Sequence, residues 1–156
     1  MRKALAVVLT VTFVLFGTAM ISQAADTATQ AVNFEVKAID MIDVTPASVS
    51  LVIEDDTLTD TDNSSIYTIT TNGTGKKVTA ALDADMPTGL TLKVQFSYLD
   101  GTPATEQTLS VSPQDVLTGI SQATGSSTIT YTLVAEPTVA PTTGSNTVTF
   151  TLTDGA

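Results

Sequence analysis

From Leu90 to Tyr98 every second residue is apolar: Leu90, Leu92, Val94, Phe96 and Tyr98 alternate with Thr91, Lys93, Gln95 and Ser97. Side chains on a strand point to opposite faces in turn, so this run predicts a strand with one face in a core and one in water. The same period recurs along the chain. Val49, Leu51 and Ile53 carry it, as do Tyr67 and Ile69, and Val78, Ala80 and Leu82. So do Leu109 and Val111, then Ile129, Tyr131 and Leu133, and finally Val148, Phe150 and Leu152. Threonine fills 28 of the 132 positions after residue 24, and its branched Cβ fits a pleated surface better than a helix. Turn signals separate the runs: Asn72-Gly73-Thr74-Gly75, the stretch from Asp83 to Gly89 with Pro87, and Asp100-Gly101. No segment reads as a convincing amphipathic helix. The closest is Ser112-Pro113-Gln114-Asp115, a Ser N-cap with Pro at the first helical position, which predicts a single helical turn. The expected fold is all-β: an immunoglobulin-like or Greek-key β-sandwich of seven to nine short antiparallel strands, with a closed barrel as the alternative.

The first 24 residues read as an address rather than as structure. Arg2 and Lys3 precede an uncharged run from Ala4 to Ile21, and Ser22-Gln23-Ala24 places small residues at the exit. That order of basic start, apolar middle and small-residue exit is expected of a secretory signal peptide cleaved after Ala24. The expected organisation is a signal peptide over residues 1–24, a flexible arm over 25–31 and a single sandwich domain over 32–156. The mature chain then carries no membrane span and is secreted, extracellular or part of a cell envelope. Absence of cysteine from an exported chain leans towards a prokaryotic setting.

Composition excludes much chemistry. The chain has no His, no Cys and no Trp. It therefore has no imidazole base, no thiol nucleophile, no disulfide and no soft-ligand metal centre. Once Arg2 and Lys3 leave with the leader, four lysines face sixteen carboxylates, a net charge of −12. A chain of that charge repels nucleic acid and anionic lipid. Most carboxylates sit in turn-like sequence, where water keeps them ordinary, and the expectation is a protein that is not an enzyme. Asp40 is the odd one, breaking the apolar parity of Val36, Ala38 and Ile42. A bend in the strand accounts for it.

Two segments are candidates for function. The first strand is expected at Val32, Phe34, Val36 and Ala38, alternating with Asn33, Glu35 and Lys37. A sandwich with terminal strands at its edges can take up such a strand from a neighbour, and these four side chains would then fill the neighbour's core face. That contact is heterologous and propagates as a filament, so the expected partner is another copy of the chain or another envelope protein. The alternative is that this strand folds back into its own domain. The second candidate is the acidic stretch from Glu54 to Ser65, expected as a loop. Asp55, Asp56, Asp60, Asp62 and Asn63 crowd hard oxygen ligands into nine residues, as a calcium site requires. Ser65 and Thr71 stand where an EF-hand places its Gly and its final Glu, and a solvated acidic loop explains the cluster without an ion. No cofactor is expected, with calcium the alternative. The six aromatic residues beyond the leader, Phe34, Tyr67, Phe96, Tyr98, Tyr131 and Phe150, share the apolar parity of their strands and are expected in the core.

Val44-Thr45-Pro46, Tyr67 to Ile69, Leu92 to Tyr98 and Thr147 to Phe150 together resemble segments of the small exported β-sandwich subunits of the fimbrial and spore-coat-protein-U type. The chain departs from that pattern in lacking a cysteine pair and in ending Asp154-Gly155-Ala156 without a nearby aromatic. The resemblance implies a structural or adhesive role at a cell surface or in an appendage. It carries over no functional residue. The runner-up is a soluble extracellular binding module with a calcium-stabilised acidic loop.

Overall fold

The computed structural model describes residues 27–54 and 56–155. The leader reading falls on residues 1–24, outside the described residues. Two units are distinguished, residues 1–35 and 36–156. In the first, the described residues 27–35 form no regular element and are exposed.

The second unit is a β-sandwich of nine strands, with no helix among the described residues. The strands are β1 (Asp40–Thr45), β2 (Thr59–Thr71), β3 (Lys76–Leu82), β4 (Leu90–Phe96), β5 (Thr102–Pro103), β6 (Gln107–Thr108), β7 (Gln114–Ile120), β8 (Thr124–Ala135) and β9 (Val148–Asp154). One sheet has the order β1-β2-β8-β4-β6 and the other β5-β7-β3-β9, with every pairing antiparallel. The Asn72 turn therefore carries the chain from one sheet to the other instead of closing a hairpin. Inward positions follow the parity of the sequence: Tyr67 and Ile69 on β2, Val78 and Ala80 on β3, Val94 and Phe96 on β4, Ile129 and Tyr131 on β8. Phe96 lies at the centre, its ring centroid 4.5 Å from Tyr67 and 5.4 Å from Phe150. The Tyr67 hydroxyl donates to the Ser97 carbonyl at 2.7 Å, which satisfies its one polar atom inside the core. Burial pushes the phenols of Tyr67 and Tyr131 up to about 12.

Several expectations are corrected. Residues 32–38 form no strand; pairing starts at Asp40, where β2 offers a partner edge. Of the aromatics, Phe34 and Tyr98 lie outside the core: Phe34 belongs to no strand, and β4 ends at Phe96, two residues before Tyr98. The acidic stretch is not a loop throughout. β2 begins at Thr59 and runs through Asp60 and Asp62 to a bulge before Ser65, with β8 supplying the pairing. Residues 49–53 alternate half-buried and exposed as foreseen, yet join no sheet. Ser112 to Asp115 is no helical turn, since β7 starts at Gln114. Val116 and Leu117, adjacent in sequence, are both buried because the β3–β7 register shifts on either side of Val78.

Candidate assembly surface

The residues preceding β1 present their apolar side chains to water. Val32 is 75% exposed, Phe34 92% and Val36 80%, and Ala38 is exposed as well. Large apolar groups are normally uncovered singly rather than in a regular series. Here three of them, followed by Ala38, share one parity of a seven-residue segment.

The point at which this segment joins the sandwich is fixed by Asn72. Its side-chain amide donates to the Lys37 carbonyl at 2.8 Å and its side-chain oxygen accepts from the Ile39 N–H at 2.9 Å. Its backbone N–H donates to the Ile39 carbonyl at 3.2 Å. One residue of the β2–β3 turn thus anchors the backbone of residues 37 and 39. Beside it, Lys76 joins the edge strands of the two sheets, its ammonium 2.8 Å from Asp40 of β1 and 2.6 Å from Asp154 of β9. Thr71 donates its hydroxyl to the other Asp40 oxygen at 2.6 Å. The hydrogen bond from Lys76, then that from Thr71, holds the Asp40 carboxyl below the usual carboxylate range, and Asp154 and Asp40 raise Lys76. Asp40 breaks the apolar parity because it is a ligand of this lysine.

The opposite end of the sandwich is open. A groove of about 1160 Å³ runs there, and Val44, Leu90, Leu133, Val148 and Phe150, all half-buried, form its apolar floor. Two extended straps flank it, residues 46–54 after β1 and residues 136–147 before β9. The first is tied down where Val52 N–H donates to Asp60 Oδ2 at 2.6 Å. The second is held at its ends, by Glu136 N–H to the Gly89 carbonyl at 2.8 Å and by Thr147 N–H to Asp83 Oδ1 at 2.8 Å. Among the described residues, 46–51 and 140–145 form no backbone hydrogen bond. Pro46 and Pro141 lack the donor altogether.

The acidic residues are spread out rather than gathered. Asp55 lies outside the described residues. Asp56 and Asn63 are exposed. The Asp60 carboxylate accepts from Val52 and, at 2.8 Å, from the Thr61 N–H. Asp62 Oδ1 accepts from the Ser64 N–H at 3.0 Å and the Ser64 hydroxyl at 2.8 Å. Among the described residues no three carboxylates converge as a metal ion needs. The sequence pointed to the exposed alternating segment. It did not reveal the groove or the Asn72 clamp, whose partners lie 33 and 35 residues away. No protein-family model matches the chain, and no curated protein matches it.

Proposed function

We propose that the chain is a secreted, non-enzymatic structural or adhesive subunit of a cell surface or appendage, assembling by β-strand addition through Val32, Phe34, Val36 and Ala38. In this reading residues 1–24 are a signal peptide and the sandwich is of the immunoglobulin-like, Greek-key kind. The observation that carries the proposal is the exposure of an apolar face with strand periodicity on a segment that has no strand partner. Such a segment is unstable as an isolated strand and gains both backbone pairing and apolar burial by joining a sheet edge. Among the described residues edges are present: β9 pairs only with β3, and β2 has a sheet partner on its outer side only from Ile66 to Thr71.

The experiment compares the chain lacking residues 1–24 with one also lacking residues 25–38, by size-exclusion chromatography with light scattering and by negative-stain microscopy. The longer form is expected to give concentration-dependent oligomers or filaments and the shorter one a folded monomer. Folded monomers in both samples would reject strand addition.

A further inference from the structure

We infer that residues 48–53 are a latent strand of the sandwich, which closes on the free outer edge of β2 from Thr59 to Asn63 and shields that edge from an incoming strand. The closure is a property of the domain alone; only the shielding rests on the assembly reading above.

The side-chain half of such a strand is already in place. Val49, Leu51 and Ile53 are half-buried and alternate with exposed Ser50 and Val52. Val49 and Leu51 pack against the core. The backbone half is missing, since residues 46–51 form no backbone hydrogen bond among the described residues. β2 has the matching deficit. On its outer side β1 pairs only from Ile66 to Thr71, and the stretch from Thr59 to Ser65 is paired by β8 alone. Unpaired N–H and C=O groups on a strand edge are a template for another extended segment.

Register brings these two segments together. Continuing the β1–β2 pairing past Thr45↔Ile66 sets Ser50 opposite Thr61 and Val52 opposite Thr59. Both chains change face at the same level. In β2 the inward positions pass from Tyr67 and Ser65 to Asp62 and Asp60 across the bulge. In the first strap they pass from Ile42 and Val44 to Val49 and Leu51. The continued register therefore matches exposed Ser50 with exposed Thr61 and half-buried Leu51 with half-buried Asp60. A slip of one residue would oppose unlike faces. A contact already spans the gap: the Asp60 carboxylate accepts from the Val52 N–H at 2.6 Å and from the Thr61 N–H at 2.8 Å. One side chain thus holds the strap beside β2 where a ladder would use carbonyls. The segments are close in sequence, so joining them costs little loop entropy.

Because the chain has no cysteine, an introduced pair of thiols reports this contact without background. The test uses Ser50→Cys/Thr61→Cys, with Val52→Cys/Thr59→Cys as a second pair should the first not fold. Directly opposite residues of an antiparallel pair lie about 4.5 to 5.5 Å apart at Cα, which suits a disulfide. Each variant is treated with oxidised glutathione in solution too dilute for assembly. The expected product is a folded monomer with an internal disulfide. Relative to its reduced form, amide hydrogen exchange should slow roughly tenfold or more at alternate residues of 48–53, as ladder bonds form. Thiols that stay free in the folded protein would overturn the closure. So would a disulfide that leaves those amides unprotected. Light scattering then compares assembly of the oxidised and reduced forms. The closed form is expected to need a several-fold higher concentration, and an unchanged threshold would overturn the shielding. If the unmodified chain does not assemble either, the assembly reading fails and the shielding falls with it, while the disulfide and the exchange rates still decide the closure.

Discussion

Phe34→Ala separates an assembly strand from a strand of the subunit's own core. Phe34 is 92% exposed, so its removal takes nothing from the free subunit. Docked on a sheet edge of another copy, the same ring leaves water, and the truncation costs about 2 kcal/mol of association free energy. That corresponds to a rise of roughly 30-fold in the concentration at which subunits assemble. Phe96 provides the contrast. It is 2% exposed and packed on Tyr67 and Phe150, so Phe96→Ala is expected to cost about 3 to 5 kcal/mol of folding stability. The assays are light scattering across a dilution series and thermal unfolding of dilute, unassembled protein. Phe34→Ala should shift the first and leave the second within about 1 °C, since it changes no intramolecular contact. A fall in unfolding temperature comparable to that of a core truncation would refute the reasoning, because Phe34 would then pack in its own domain. So would an assembly threshold unchanged within a factor of two.

Three further outcomes follow from the geometry. Asp40 is held below its ordinary value of 3.8 by Lys76 and Thr71, so its contribution is complete above that pH and is lost as the pH falls through the lower folded value. Denaturant unfolding between pH 2 and pH 7 should show this acid-side loss of stability diminished in Asp40→Asn. Tyr67→Phe removes a buried hydroxyl bonded at 2.7 Å to Ser97, which should cost about 1 kcal/mol and lower the unfolding temperature by roughly 4 °C. Asp60→Ala removes the acceptor that ties Val52 to β2, and hydrogen exchange should speed up at the Val52 amide while the amides of β3 keep their protection.

Much of the fold was legible because burial imposes a period of two wherever two sheets face each other. Leu92, Val94 and Phe96 and the pair Ile129 and Tyr131 lie where their parity put them. Parity fails where a strand has only one covered side or changes register. Thr59 to Ser65 is polar on both faces, and there β2 is paired on one side only, by β8. Val116 and Leu117 break the period of two as an adjacent pair, and the irregular β3–β7 register lets both turn inward. Nor did the neighbourhood of Asp40 disclose Lys76, 36 residues away and across two sheets. Of the candidate surface, the exposed alternating segment was visible because its pattern is local. The groove was not, because it is made by what distant segments leave uncovered.

The charge of the subunit decides which force must drive assembly, and salt can read it. Residues 25–156 of each copy carry −12, so bringing two copies together is opposed by long-range repulsion. Apolar burial and backbone pairing therefore have to overcome this repulsion. The Debye length falls from roughly 30 Å at 0.01 M salt to about 3 Å at 1 M, so added salt removes the repulsion while leaving burial intact. Assembly is thus expected at lower protein concentration in 0.5 M than in 0.02 M sodium chloride. Sulfate is expected to promote it further by strengthening effective burial. Complexes held mainly by ion pairs behave in the opposite way and weaken as salt is added. Weakening with salt would mean that ion pairs carry the contact and that the apolar face of residues 32–38 does not.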